Sequence, residues 1–261
     1  MTQLYQDELA QLYDVAVPDW PGEIAFYSHL VQQMPAEHPS ILEIACGTGR
    51  VTVQLADLGH QIVGIDLSDE MLAFARTKSR QLANVRWVTA DMRSFELAEA
   101  FGLAIVPAYS FQLLLTKTDQ AACLRQIARH LQPGARLVLH LEKQDPDWLA
   151  SLPQSEFAPF EASGEATHPG TGQRIRVSYA WSYNMTEHYV AVVIRYEVIG
   201  DSGEVVSGVD RGPLRMHCTS HDHLQEQFEA VGFATEAIYG DFRGQPFNSD
   251  SEETIWIVRK A

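Results

Sequence analysis

Ser40-Ile41-Leu42-Glu43-Ile44-Ala45-Cys46-Gly47-Thr48-Gly49-Arg50 decides the fold. The run SILEIA is a short buried strand, and it ends in the turn CGTG. Glycines there let the backbone bend sharply and approach a ligand too closely for any Cβ. The next stretch, RVTVQLADLG, carries Val51, Leu55 and Leu58 at helical spacing, with Gly59 placed to end the helix.

Outward from this unit the pattern repeats. QIVGID is a second strand, and Ser68 can cap the helix SDEMLAFARTK, whose Asp69 and Glu70 suit its positive N-terminal end. VRWVTAD is a third strand and LAIVPAYS a fourth. A helix over Thr118–Leu131, with Leu124, Ile127, Ala128 and Leu131 on one face, stops at Pro133-Gly134 before a fifth strand, ARLVLHLE. Strand and helix alternate for about a hundred residues, which predicts a parallel sheet with helices on both faces.

The flanks differ. Before Ser40 the chain reads as helical, through Leu4, Leu9, Leu12 and Tyr13 and then from Ile24 through Leu30 to Met34. Pro21 suits a first turn, and Pro35 and Pro39 close the segment. Residues 143–172, rich in Pro, Gly, Ser and acids, read as a linker or mobile loop. Ile175, Val177, Tyr179, Trp181 and Tyr183 then alternate, followed by YVAVVIRYEV and EVVSG, which is the pattern of antiparallel sheet. A helix from His221 to Val231 ends at Gly232, and strands at ATEAIYGDF and TIWIVRK close the chain.

The 261 residues suit one large domain, or one domain carrying an insertion. Against 19 Lys and Arg stand 34 Asp and Glu, a net charge of −15. That balance repels phosphate backbones and anionic membranes, so neither nucleic acid nor membrane is expected as partner. Cys46, Cys123 and Cys218 are odd in number and far apart, which speaks against a disulfide framework or structural zinc. The acidic, polar start MTQLYQDELAQLYD is unlike a signal peptide, and no apolar run approaches ~18 residues, so a cytoplasmic protein is expected.

The second strand ends in Asp66, an acid placed to hold both hydroxyls of a ribose. The third ends in Asp91, whose carboxylate could accept from an adenine amino group. A nicotinamide site would want a third small residue, but the pattern reads Gly47-x-Gly49-x-x-Thr52. No GxSxG, GxxxxGK[ST] or HExxH occurs. Cys46 reads as a compact buried residue of the turn, and Tyr179, Trp181 and Tyr183 as sheet core. His221-x-His223 reads as a helix start capped by Thr219 or Ser220, so no metal site is expected.

ILEIACGTGR, VGIDLSDEML, VTADM and LQPGARLVLHL together resemble, in register and in order, the class I S-adenosylmethionine-dependent methyltransferases, over residues 40–142. The resemblance implies a doubly wound, Rossmann-like α/β fold: a mostly parallel seven-stranded sheet with an antiparallel last strand. The inserted antiparallel sheet resembles that of small-molecule branches such as the glycine/sarcosine and amino-sugar N-methyltransferases, where it helps roof the active site as a lid. The expected organisation is a helical cover and cofactor core at 1–142, the β insertion at 143–218, and a closing helix and strand pair at 219–261.

The resemblance also implies roles. Glu43, Ala45, Gly47 and Gly49 would line the methionine end of S-adenosyl-L-methionine. Asp66 would bind its ribose and Leu67 pack on adenine, with Asp91 and the backbone of Met92 reading the adenine edge. Val106 and Pro107 would border the sulfonium, with Tyr109 just beyond and Tyr13 near the cofactor's carboxylate. His140, Tyr183 and His217 are candidate catalytic residues, and Tyr109, Glu142 and Arg215 candidate contacts for the acceptor. VPAYSF stands where amide and adenine methyltransferases carry an NPPY-like run. The expected function is methyl transfer to a small molecule, nitrogen favoured slightly over oxygen, with S-adenosyl-L-homocysteine as product. The alternatives are a catalytically silent cofactor-binding or partner-binding module and an NAD(P)-dependent oxidoreductase.

Overall fold

A computed structural model describes residues 8–17, 20–34, 40–168 and 171–261. Leu4, Pro35 and Pro39 lie outside these. Two compact units emerge: helix α1 (Glu8–Ala16) belongs with Gln144–Cys218, and the rest forms the other. The sequence reading grouped α1 with the core at 1–142. The structure places it with the inserted segment, where Leu12 packs with Ile175, Val177 and Tyr196.

In the core unit the chain runs α2 (Glu23–Gln32), β1 (Ser40–Ile44), α3 (Arg50–Asp57), β2 (Gln61–Asp66), α4 (Asp69–Lys78), β3 (Val85–Thr89), β4 (Phe101–Val106), α5 (Lys117–His130) and β5 (Leu131–Glu142). The other unit supplies α6 (Pro146–Ser151), β6 (Glu161–Thr167), β7 (Arg174–Asn184), β8 (Tyr189–Ile199) and β9 (Val205–His217). The core then closes with α7 (His221–Ala230), β10 (Phe233–Tyr239) and β11 (Glu253–Lys260).

The seven-stranded sheet has the order β10-β11-β5-β4-β1-β2-β3, with β11 antiparallel to both neighbours and the other pairs parallel. Alternating side chains feed the two faces. Leu42, Ile44, Ala104 and Leu137 pack with Leu124 of α5 and Phe228 of α7 on one side. Ile41, Ile105 and Val138 pack with Tyr27 of α2 and Leu55 of α3 on the other. Burial on both faces is why these strands read as continuous apolar runs. The Ser68 hydroxyl caps α4 by accepting from Met71 N–H at 3.2 Å, as its sequence position implies. Among the described residues no helix is long and apolar enough to cross a membrane.

Two local expectations are corrected. Pro133-Gly134 does not stop a helix ahead of the strand; α5 ends at His130 and β5 begins at Leu131. Phe101 pairs with Leu131 and Leu103 with Arg136, so the two residues sit in a bulge, where Gly134 takes φ 76°. Residues 143–172 are not all loop, since they contain α6 and β6. β6 is exposed along nearly its whole length, so it carries no buried periodicity for a sequence to reveal.

In the inserted unit β6-β7-β8-β9 form an antiparallel sheet. α1 lies on the β7 face that carries Ile175 and Val177, and Tyr179 Oη donates to the Ala16 carbonyl at 3.1 Å.

Candidate active site

The turn after β1 takes the left-handed region three times, at Ala45 (φ 55°), Gly47 (φ 54°) and Gly49 (φ 77°). Asp66, at the end of the neighbouring β2, fixes it. Gly47 N–H donates to Asp66 Oδ2 at 2.8 Å, and Ser68 N–H to Oδ1 at 2.9 Å. Burial raises the Asp66 carboxyl above its ordinary range, opposed by the N–H groups of Ser68, Gly47 and Leu67. A carboxylate offers about four lone-pair positions; three backbone donors leave Asp66 able to accept one more. Leu67 beside it is exposed. A turn held left-handed at Ala45, Gly47 and Gly49, a carboxylate with spare acceptor capacity and an uncovered apolar side chain fit an adenosyl cofactor.

Beneath the turn lies Glu43, 1% exposed, with Oε2 accepting from the Thr52 hydroxyl. Thr52 is the residue that breaks the dinucleotide pattern, and here it satisfies a buried acid. Nearby, Arg50 forks onto buried Glu23 at 2.6 and 3.1 Å and stacks over Trp20. Burial pushes the Glu43 carboxyl up to about 8, against the pull of Thr52 and Arg50. The native state thus holds a proton that the unfolded chain releases above the ordinary carboxyl range. Stability is therefore expected to fall as pH rises from about 5 to 8, by on the order of 1 kcal/mol per pH unit. Glu43→Gln should flatten that slope in urea unfolding at several pH values; an unchanged slope would contradict the assignment. Part of the slope should persist, since Glu142 is also raised to about 8 by burial and by Glu253.

Asp91 is gripped by Arg93, whose Nε and Nη2 reach it at 2.9 and 2.6 Å and whose Nη1 reaches Asp119 at 3.0 Å. The Arg93 hydrogen bonds hold the Asp91 carboxyl below its ordinary range. Arg93 escaped the sequence reading, although its position two residues after Asp91 could have suggested it. Met92 is half-buried against the core, and the Val106 side chain is fully buried, so only its backbone can border a ligand.

Past β4 the chain turns through Ala108 (φ 52°) and Tyr109 (φ 62°), both left-handed without being glycine. His140 holds this turn: its Nδ1 accepts the Ala108 N–H at 3.3 Å and its carbonyl accepts the Tyr109 N–H at 3.1 Å. Its Nε2 lies 2.8 Å from Glu253 Oε2. With both nitrogens engaged and no exposure, His140 cannot meet a substrate as the free base expected of it. Glu253 pairs in register with Glu142, setting two carboxylates side by side at the strand ends. Glu142 Oε2 is closed off from solvent and has no hydrogen-bond partner.

The remaining candidates belong to the inserted unit. In its sheet Tyr183 is in register with Val190 and Met216, while Arg215 and His217 are in register with Ala191 and Tyr189. In-register neighbours share a face and successive residues alternate. Tyr183 therefore stands on the face opposite to Arg215 and His217, so the three do not converge; Arg215 lies over the Tyr189 ring. Tyr13 is on α1, in the same unit. Ser220 caps α7 through His223 N–H at 3.3 Å, which accounts for the His221-x-His223 stretch. Among the described residues no group of three or more His, Cys, Asp or Glu is placed to hold a metal.

A parallel sheet with one reversed strand, a glycine turn clamped by the acid of the next strand, and a second acid one strand further define an adenosyl-cofactor methyltransferase. Comparison with known proteins agrees. Residues 41–134 match the family model described as a methyltransferase domain. Trans-aconitate 2-methyltransferase of Azoarcus sp. (strain BH72) is 31% identical over 223 residues, 80% of this chain and 83% of that protein. A dTDP-3-amino-3,6-dideoxy-alpha-D-glucopyranose N,N-dimethyltransferase of Streptomyces fradiae is 27% identical over 252 residues, covering 92% and 89%. The CcbJ methyltransferase structure from Streptomyces caelestis superposes with a TM-score of 0.77 at 22% identity, covering 99% and 98%. The chain belongs to the S-adenosylmethionine-dependent methyltransferases.

Proposed function

We propose that the protein methylates the nitrogen of a small amine, an amino sugar or a compound of similar size, by direct in-line transfer. S-adenosyl-L-methionine supplies an activated methyl group on a sulfonium, so the chain's task is positioning and exclusion of water. The backbone of Ala45, Gly47 and Gly49 would cradle the methionine end, with Glu43 supporting the turn from beneath. Asp66 would accept from ribose, Leu67 would cover the adenine face, and Asp91 and Met92 would read its edge. The backbone of Val106 and Pro107 would border the transfer position, with Tyr109 and Glu142 toward the acceptor. Tyr13, Tyr183, Arg215 and His217 sit in the other unit, and no step is routed through them. The thiols of Cys46 and Cys123, buried and outside any disulfide, suit a reducing cytoplasm.

The observation that carries nitrogen over oxygen is the facing pair Glu142 and Glu253, with Glu142 Oε2 buried and unpartnered. A buried carboxyl oxygen without a partner is unfavourable until a donor reaches it. An amine N–H can do so; the oxygens of an anionic acceptor cannot. The likeness to a trans-aconitate methyltransferase supports a second reading, methylation of a small carboxylic acid. The two separate by mass spectrometry of a panel of amino-sugar nucleotides, simple amines and di- and tricarboxylic acids incubated with S-adenosyl-L-methionine. Methyl groups on an amine are the expected result, and methyl esters alone would overturn it. Binding of S-adenosyl-L-homocysteine without turnover of any panel member would favour a silent module.

A further inference from the structure

Glu253 opens β11, and its carboxylate gathers three donors. Trp20 Nε1–H reaches Oε1 at 2.7 Å, the Tyr109 hydroxyl bridges both oxygens at 3.0 and 2.9 Å, and His140 approaches Oε2 at 2.8 Å. Because His140 Nδ1 accepts the Ala108 N–H, its proton sits on Nε2 and points at Glu253. Trp20, Tyr109 and Phe242 enclose the imidazole, with ring centroids 4.7–4.8 Å away. His140 and Glu253 therefore hold one object from two sides. His140 fixes the backbone of the Ala108-Tyr109 turn, and Glu253 fixes the tyrosine's hydroxyl.

That turn is strained. Two successive non-glycine residues in the left-handed region persist only where the surroundings over-determine them. The strain points the Tyr109 ring at Glu253 from the end of β4. The hydroxyl proton is committed to Glu253 and Trp20 also donates to the oxygen, so what Tyr109 can offer to another donor is its remaining lone pair.

We propose that Tyr109 is the catalytic residue that accepts the acceptor's N–H, with Glu253 and His140 as the positioning residues that make it able to do so. This rests on the reading of nitrogen methylation. As the nitrogen lone pair forms the N–C bond, the methyl carbon's bond to sulfur breaks and its electron pair stays on sulfur. The N–H proton moves to Tyr109 Oη while the tyrosine's own proton passes to Glu253. Glu253, with a side chain 14% exposed, passes it to water. His140 keeps the carboxylate aimed.

Sinefungin tests this without a known acceptor, because it carries an amine on carbon where the cofactor carries its sulfonium methyl. Calorimetry at one pH would compare sinefungin with S-adenosyl-L-homocysteine on the wild type, Tyr109→Phe and Glu253→Gln. The wild type should prefer sinefungin by about tenfold or more, the scale of a charge-assisted hydrogen bond. Both variants should keep the S-adenosyl-L-homocysteine affinity and lose the preference. A wild-type preference retained in Glu253→Gln or in Tyr109→Phe, or none in the wild type, would overturn the relay. Tyr109→Phe removes only a hydroxyl, so it decides the matter even where Glu253→Gln fails to fold. No binding of S-adenosyl-L-homocysteine by the wild type would instead sink the cofactor site on which the relay depends.

Discussion

Replacing Asp66 by Ala is expected to weaken S-adenosyl-L-homocysteine binding by about 100-fold. The carboxylate does two things at once. It accepts from Gly47 and Ser68, at 2.8 and 2.9 Å, which holds the glycine turn in its ligand-ready shape. It also keeps acceptor capacity for a ribose hydroxyl. A hydrogen bond to a charged group contributes about 1.5–3 kcal/mol, so losing the ribose contact and loosening the turn should cost close to 3 kcal/mol. Ligand-induced stabilisation reads this directly. At a concentration 100 times the wild-type Kd the ligand should add about 2.7 kcal/mol to wild-type unfolding, and only a few tenths to the variant. Equal stabilisation of the two proteins would remove Asp66 from the site.

Gly49→Ala is expected to lower stability by about 3 kcal/mol. A Cβ at this position would lie 2.6 Å from Trp87 Cη2 and 3.3 Å from the Ala75 Cβ, in a residue whose φ is 77°. Trp87 cannot simply swing away, since its Nε1 donates to the Ser79 hydroxyl at 2.9 Å. Overpacking of this kind costs about 1–3 kcal/mol, and the left-handed backbone adds about 1 more. The two contributions separate in a double-mutant cycle. In a Trp87→Leu background the same substitution should cost only the backbone part, about 1 kcal/mol, by urea unfolding. The same cost in both backgrounds would mean that Trp87 does not set the glycine requirement.

The core unit was legible because its residues announce themselves locally. Apolar runs of strand length, Ser68 ahead of two acids, and glycines at 59 and 232 each act within a few positions of the chain. What escaped depends on distance or on exposure. β6 presents its side chains to solvent and leaves no period to read. Pro133-Gly134 has the chemistry of a turn, and only pairing with β4 turns it into a bulge.

The cofactor side of the site was read from motifs that follow their strands directly. Glu253 could not be read that way, because it lies 113 residues from His140 and 144 from Tyr109. Only the reversal of β11 against β5 brings it to them. Residue type and a place near a strand end mark His140 in the sequence, whereas its role depends on partners for both ring nitrogens that lie far off in the chain. Tyr183 and His217 were chosen for position along their strands, while register puts them on opposite faces.

Calorimetric titration of the wild-type protein with S-adenosyl-L-homocysteine, with NAD titrated in parallel, tests the account most directly. The glycine turn, Asp66 and Asp91 predict one site per chain with micromolar affinity for S-adenosyl-L-homocysteine and no heat from NAD. Absence of S-adenosyl-L-homocysteine binding, or binding of NAD in its place, would contradict the assignment of that turn and its two acids.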